Sequence, residues 1–243
     1  MIPLRDTIPS RTFPYVTILL IIFNGLAFLL EMSLGEYLKD FISTFGLIPT
    51  NYFRQASQGG LGIIPRFFPF FTSIFLHGGW FHVIWNIWFL WIFGDNVEDH
   101  FGHFKYLLFY IACGVIAGLA HVYMNPDSTM PTIGASGAIA GVMGAYIIRY
   151  PRAKVLTLIP IFLIFPIINI PAYVFLGFWF FVQFLSGFAS LNISGSDPGY
   201  FVHVRRFVPA KYNLRFCTCN ASFTGSGKLY PKVSCLRRMY DPS

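Results

Sequence analysis

Three polar side chains in strongly apolar surroundings could together perform acyl chemistry. Ser136 precedes a run of small and apolar residues, 138–148, while His82 and Asn86 lie within the almost wholly apolar stretch 80–93. A hydroxyl, an imidazole and a carboxamide at membrane depth each cost free energy unless they are paired or functional. Their combination predicts acyl chemistry inside a lipid bilayer.

The spacing of these residues favours stabilisation of an oxyanion. His82 and Asn86 are four residues apart and therefore share one face of a helix. The Asn86 carboxamide and the backbone N–H of a serine that begins a helix can both donate to a developing negative charge. Gly134 and Gly137, on either side of Ser136, would let a substrate approach closely.

The composition places the chain in a membrane. Of its 243 residues, 55% are hydrophobic and 11% are charged, and the mean hydropathy is +0.60. A soluble domain carries about 25% charged residues. The first apolar run, 15–34, is long enough to cross a bilayer and longer than the apolar part of a signal peptide. We therefore expect it to be retained as a first membrane helix.

The apolar runs predict an all-α polytopic membrane protein with at least five spans. These runs cover 15–34, 68–93 with an interruption at 77–79, 104–124, 134–148 and about 170–188. The intervening segment 36–67 predicts short amphipathic helices at the interface, and the prolines in 155–171 predict a short interfacial piece before the fifth span. A sixth span near 199–212 would complete a compact bundle.

The loop charges predict a cytoplasmic N-terminus. Cations cluster before the first span, between the second and third, and after the fourth: Arg5, Arg11, Lys105, Arg149, Arg152 and Lys154. The loop 121–133 between the third and fourth spans has neither lysine nor arginine. Since cytoplasmic loops carry the excess of basic residues, Ser136 is expected near the outer face.

Several motifs, in order along the chain, resemble those of the rhomboid intramembrane serine proteases. They extend over most of the chain, from about residue 14 to 191, so the resemblance is specific. The matching pieces are HGGWFH at 77–82 with Asn86, FGDNVED at 93–99, GASG at 134–137, Pro171-Ala172, GFW at 177–179 and Gln183.

The resemblance implies a six-helix bundle and a Ser–His dyad that cleaves transmembrane proteins. Ser136 would be the nucleophile and His203, on the sixth span, the general base. Asn86, His82 and the Ser136 N–H would surround the oxyanion, whereas His77 would order its loop. No metal or cofactor is implied. The expected partners are single-span membrane proteins and the lipid bilayer, and the expected location is a bacterial inner membrane.

The expected sixth span departs from the family pattern. Gly199 and His203 match, but Val202, Arg206 and Ala210 replace small residues. An arginine at a bilayer centre costs about 2.5–3.5 kcal/mol on insertion scales. One hypothesis is a change of reading frame near 195–205. We divide the chain into a membrane domain, 1–212, and a basic polar tail, 213–243, that is expected to be disordered.

Two alternative functions follow from the same residues. If His203 does not reach Ser136, the chain would be an inactive rhomboid-like protein that binds transmembrane helices without cleaving them. A small transporter is disfavoured because its path needs paired ionisable groups, and the apolar runs hold few charges. Nucleic acid is not an expected partner since no base-reading module accompanies the charge. The cysteines 217, 219 and 235 fit no standard zinc spacing.

Overall fold

The computed structural model describes residues 1–58, 63–160 and 165–191, which form helices and one small sheet. The α-helices are α1 (Tyr15–Ser33), α2 (Leu38–Phe45), α3 (Pro49–Gln58), α4 (Ile63–Thr72), α5 (Trp80–Phe101), α6 (His103–Met124), α7 (Ser136–Arg149) and α8 (Ala172–Leu191). Short 3₁₀ turns occupy Gly35–Tyr37 and Ser73–Phe75. The strands are β1 (Ile2–Asp6), β2 (Lys154–Leu158) and β3 (Ile167–Pro171).

Within these ranges, the long apolar helices provide two or three membrane spans. α1 and α6 are each long and apolar enough to cross a bilayer alone. Residues Arg66–Phe75 and α5 together form a third candidate, bent by 81° at the break between them. α7 and the apolar part of α8 (Ala172–Gln183) are shorter apolar helices. The sixth span expected near 199–212 and the tail 213–243 lie outside the described residues.

The helix that begins at Ser136 is packed tightly between its neighbours. A Cβ atom added to Gly137 would collide with Ala117 of α6, and one added to Gly141 would collide with Cys113. These glycines therefore let α6 and α7 approach closely, as small residues do in membrane bundles. Farther along α7, Tyr146 is fully buried. Close packing holds the start of α7 at a defined position.

The segment 155–171 forms two strands, which the sequence did not predict. β2 pairs antiparallel with β1 on one side and with β3 on the other, so the sheet has the order β1-β2-β3. Two prolines, Pro160 and Pro166, disfavour a helix between the strands. The sheet is fixed to α5 because the Trp88 Nε1–H donates to the Pro3 carbonyl oxygen at 2.7 Å.

The prediction that the second span ends near residue 93 is wrong. α5 continues to Phe101, and Glu98 and Asp99 belong to its last turns. Glu98 is fully buried, and its oxygens accept the backbone N–H groups that begin α1, at Val16 (2.8 Å) and Thr17 (2.7 Å). The helix can contain this carboxylate because α1 supplies its hydrogen-bond donors.

Candidate active site

Ser136 is the first residue of α7 and is half-buried. The first helical hydrogen bond runs from the Ile139 N–H to the Ala135 carbonyl oxygen at 2.9 Å. The N–H groups of the first turn have no acceptor within their own helix. They carry partial positive charge at the helix start, so the end of α7 that holds the Ser136 hydroxyl also favours an oxyanion.

The loop before Ser136 is fixed by a glycine that contacts His82. Gly134 has a φ of +128°, a backbone conformation that side chains other than glycine rarely adopt. A Cβ atom there would lie 2.6 Å from both Cε1 and Nε2 of His82. The Gly134 N–H also donates to the Ser73 carbonyl oxygen at 2.8 Å. The His82 imidazole therefore packs against the backbone two residues before Ser136.

Asn86 lies one turn deeper than His82 on the same face of α5. α5 and α7 run in the same direction. His82 meets Gly134 near the start of both helices, and the Phe93 and Tyr146 rings lie 5.0 Å apart farther along them. Asn86 is 8% exposed, and its Nδ2 nitrogen is buried without a hydrogen-bond partner among the described residues. A buried amide donor without an acceptor costs free energy, and an oxyanion would relieve that cost.

His77 is held by the backbone and contacts His82 edge-on. The two imidazole centroids are 5.2 Å apart, with 72° between the ring planes. The Nδ1 atom of His77 lies 3.1 Å from the Phe75 carbonyl oxygen, which can only accept, so Nδ1 carries the proton. These contacts are those of a residue that orders its loop and positions the neighbouring imidazole.

A buried carboxylate that the sequence analysis did not assign also supports this loop. Glu31, in the last turns of α1, is 2% exposed. Its Oε1 and Oε2 atoms accept the backbone N–H of His77 at 3.0 and 3.3 Å. A lone carboxylate in an otherwise apolar span costs free energy unless it has a partner. The position of Glu31 within the first apolar run is therefore the sequence feature that could have indicated its role. Its partner is a backbone N–H, which leaves no mark in the sequence.

The structure brings four of the predicted site residues together at one end of the bundle. These are Gly134, Ser136, His82 and His77, with Asn86 one helical turn deeper. Gly137 contacts α6 and so contributes to packing of the helix start. His203, the predicted general base, lies outside the described residues, as do the three cysteines of the C-terminal segment.

Comparison with known proteins agrees with the motifs. The model of the Rhomboid domain family matches residues 65–204, which is more than half of the chain. The chain belongs to the rhomboid family. The members of this family are integral membrane proteins, and the long apolar helices of this rhomboid agree with that location. The matched range contains Asn86, Ser136 and His203.

Among curated relatives, this rhomboid is similar to plant, bacterial and animal proteins. It is 33% identical over 119 residues to rhomboid-like protein 11, chloroplastic, of Arabidopsis thaliana, covering 49% of this chain and 40% of that one. It is 31% identical over 137 residues to the rhomboid protease GluP of Bacillus subtilis (strain 168), covering 56% of this chain and 24% of that one.

A third relative is the presenilin-associated rhomboid-like protein A, mitochondrial, of Danio rerio, which is 30% identical over 99 residues, covering 40% of this chain and 26% of that one. The chain thus spans less than half the length of these relatives. No solved structure matches this chain significantly.

Proposed function

We propose that this rhomboid is an intramembrane serine endopeptidase that cleaves transmembrane proteins. The observation that carries the proposal is the buried Asn86 amide nitrogen, which has no partner within the described part of the chain and lies on the helix face that meets the loop before Ser136. A bundle that needed Asn86 only for cohesion would give this donor an acceptor. A donor held ready for charge that develops in a reaction remains free until substrate arrives.

In the proposed reaction, the Ser136 hydroxyl oxygen attacks the carbonyl carbon of the scissile peptide bond. His203 accepts the hydroxyl proton and transfers it to the leaving amine when the C–N bond breaks. Water then attacks the acyl-enzyme ester, His203 accepts a proton from that water, and the proton returns to Ser136 as the ester breaks. No step requires a metal or a cofactor.

The oxyanion that forms in both steps would accept hydrogen bonds from the Asn86 Nδ2 and the Ser136 backbone N–H. The His82 ring, fixed against Gly134, would form one wall of this site. Removal of one such donor typically lowers kcat by about 10²–10³. The Glu31–His77 contact would act indirectly, by holding the loop that leads into α5.

The apolar surroundings of the start of α7 support single-span membrane proteins as the substrate class. The start of α7 lies at the end of the bundle opposite the N-terminal strand, and apolar residues near the start of α5, such as Phe81 and Ile84, are exposed. With the N-terminus cytoplasmic, Ser136 would face the outer side of the membrane. A transmembrane substrate could then reach the site sideways from the lipid.

Labelling with a fluorophosphonate, a reagent that modifies activated serines, tests this function. We expect the full chain, purified in detergent, to be labelled, and we expect Ser136→Ala and His203→Ala to lose the label. Ser43→Ala is the matched control because Ser43 is an exposed serine whose hydroxyl donates only to the Asp40 carbonyl oxygen of its own helix. Its labelling should equal that of the unmodified chain.

A folded chain that is not labelled would contradict the proposal. Folding is established separately, by a sharp thermal unfolding transition in the same detergent. That outcome would favour the alternative of a rhomboid-like protein that binds transmembrane helices without cleaving them. Loss of the label in Ser136→Ala but not in His203→Ala would support Ser136 as the nucleophile and contradict His203 as the general base.

A further inference from the structure

A cavity lies between α2, the start of α3 and α4. Its volume is about 460 Å³, which is within the range of small-molecule sites. The buried Leu47 contributes to its floor, whereas Ser43, Thr44 and Phe68 at its rim are exposed. A partly open space of this size can admit a group much larger than a water molecule.

One cation, Arg66, lines this cavity without an anionic partner. Its guanidinium carbon lies 4.3 Å from the centre of the Tyr52 ring and 5.4 Å from that of Phe67. Its Nε is buried without a hydrogen-bond partner, and no carboxylate pairs with Arg66 among the described residues. The adjoining sequence 55–65, QASQGGLGIIP, has neither aspartate nor glutamate. A partly buried guanidinium without an acceptor costs free energy, so an anion in the cavity would be stabilised.

The start of α3 adds to the positive potential in the cavity. Ile48, which precedes the helix, and Asn51, in its first turn, both line the cavity. The N–H groups of a first helical turn have no acceptor within their own helix and carry partial positive charge. None of the residues that line the cavity is acidic. The guanidinium and the helix start therefore both favour an anion.

The other groups around the cavity favour an anionic headgroup with hydroxyls over one that also carries an ammonium group. An ammonium group would need a carboxylate or a free aromatic face, but Tyr52 is buried with Arg66 over its ring. The Ser43 and Thr44 hydroxyls donate to the Asp40 carbonyl oxygen at 2.8 and 2.9 Å, so their oxygens can still accept from a ligand hydroxyl. A phosphate with neighbouring hydroxyls is the chemistry of a glycerol-type headgroup.

The position of the cavity suits a lipid. α1 is long and apolar enough to span a bilayer and ends at Ser33, and α2 begins at Leu38. Beside the cavity, the rings of Phe67, Phe68 and Phe71 share one side of α4 and are exposed. Exposed apolar rings in a row are unfavourable in water and are covered by lipid in a membrane.

We propose that this cavity binds the headgroup of an anionic phospholipid, with Arg66 donating to the phosphate oxygens and the acyl chains lying along the exposed rings of α4. Leu47 and Thr132 exchange backbone hydrogen bonds of 3.2 and 2.8 Å, which join the cavity floor to the loop before Ser136. The lipid would therefore lie beside that loop without touching Ser136. This inference does not depend on the proposed protease activity.

Native mass spectrometry of the full chain in a non-ionic detergent tests the site. The protein is titrated with a phosphatidylglycerol, with a phosphatidylcholine that has the same acyl chains, and with inorganic phosphate. We expect the first phosphatidylglycerol to bind about tenfold more tightly than the first phosphatidylcholine. Arg66→Gln should weaken phosphatidylglycerol binding by about tenfold or more and remove the preference, since a hydrogen bond to a charged group typically contributes at least that factor.

Two further variants separate the cavity from the general charge of the surface. Lys39→Gln, which removes an exposed cation of α2 that does not line the cavity, is the matched control and should leave the preference unchanged. Ser43→Trp retains every charge but places a bulky ring at the rim, so it should weaken phosphatidylglycerol binding. Thermal unfolding in the same detergent checks that each variant is folded, which is expected of Ser43→Trp because Ser43 is exposed.

Three results would overturn the proposal. Equal affinities for the two lipids would show that the cavity does not select an anionic headgroup. Phosphatidylglycerol binding that is unchanged in Arg66→Gln and in Ser43→Trp would place the lipid elsewhere, and Ser43→Trp alone decides this point if Arg66→Gln does not fold. Inorganic phosphate that binds as tightly as phosphatidylglycerol and displaces it would make the ligand a free phosphate instead of a lipid.

Discussion

The two ends of the bundle differ in whether their buried asparagine donors are paired. At the end that carries the sheet, the Glu98 carboxylate has four donors, and one of them is the Thr17 hydroxyl at 2.7 Å. At the end that carries Ser136, Asn86 Nδ2 and His77 Nε2 are buried without a partner among the described residues. The sheet end also contains an unpaired acceptor, Asn96 Oδ1, but the Asn96 Nδ2 donor there is paired with Asp6, whereas the Asn86 Nδ2 donor at the Ser136 end is free to bind something else.

This contrast has a physical reason. An unsatisfied buried donor costs about 1–3 kcal/mol. The buried asparagines Asn24 and Asn96 both use Nδ2 as a donor, to the Leu20 carbonyl oxygen and to Asp6, whereas Asn86 does not. Two contacts hold the segments that lead into α5 and α7: the Glu31–His77 hydrogen bond and the close His82–Gly134 contact. The unpaired Asn86 donor therefore lowers folding stability but is already in place to bind an oxyanion.

The largest expected effect concerns Asn86. Asn86→Ala should lower kcat for cleavage of a single-span substrate by about 10²–10³, the usual loss for one oxyanion donor. The thermal unfolding midpoint should not fall, because the substitution removes an unpaired buried donor and no hydrogen bond that involves the amide nitrogen.

The control for this variant is Asn125→Ala. The Asn125 Nδ2 already donates to the His121 carbonyl oxygen at 3.1 Å, so its loss should leave kcat unchanged. A large fall in unfolding temperature for Asn86→Ala, with kcat preserved, would make Asn86 a structural residue and remove the contrast between the two ends.

At the sheet end, removal of a buried polar group is expected to lower stability. Glu98→Ala should lower the free energy of unfolding by about 3 kcal/mol or more, because it leaves the buried start of α1 without its acceptor. The matched variant Glu36→Ala removes an exposed carboxylate and should change the unfolding midpoint little. Equal midpoints for the two variants, measured in the same detergent, would show that Glu98 does not hold α1.

A third prediction compares Gly134, in the loop before Ser136, with Gly144, inside α7. Gly134→Ala should lower both stability and labelling of Ser136, with a stability loss of about 1–3 kcal/mol from its positive φ and from the displaced His82 ring. Gly144→Ala is the control within α7, since a Cβ there meets no atom within 4 Å. It should be neutral or stabilise the helix by up to about 1 kcal/mol.

If Gly134→Ala were labelled at the normal rate, the contact between His82 and the loop before Ser136 would be unnecessary for the site. If Gly144→Ala also lost labelling, the sensitivity would belong to α7 as a whole and not to that contact.

The smallest effect is a pH dependence at the sheet end. Burial raises the pKa of Asp6 above its ordinary value of 3.8, although the hydrogen bond from Tyr146 lowers it in part. The folded chain therefore retains the Asp6 proton to higher pH than the unfolded chain does, so this group lowers stability as pH rises above 3.8. Asp6→Asn should lack this contribution, so its unfolding midpoint should decline less with pH over that range.

The difference between the two pH profiles is the quantity that matters, because other carboxyl groups titrate in the same range. Parallel profiles would show that Asp6 has the same proton affinity in the folded and unfolded chains.

Much of the site could be predicted from the sequence, because the residues of each motif are close together in the chain. Ser136 follows its own glycine loop, and the spacing of His82 and Asn86 places both on one helix face. The apolar runs located the main helices for the same reason. The family match confirmed the membership that these motifs predicted.

What could not be predicted depends on contacts between distant segments. The sheet pairs β1 with β2 across about 150 residues, with Pro3 opposite Thr157, and no local pattern encodes that register. Glu98, in the extended part of α5, accepts hydrogen bonds from α1 residues that lie 81 and 82 positions away in the chain. The role of Glu31 depends on a backbone N–H and 46 residues of separation.

The most direct test of the central claim is a structure of the full chain with a fluorophosphonate bound covalently to Ser136. The phosphonyl oxygen stands in for the oxyanion of the reaction. The proposal predicts that this oxygen lies about 3 Å from Asn86 Nδ2, a hydrogen-bond distance. An adduct whose oxygen points away from Asn86, with the Nδ2 nitrogen still unpaired, would contradict it.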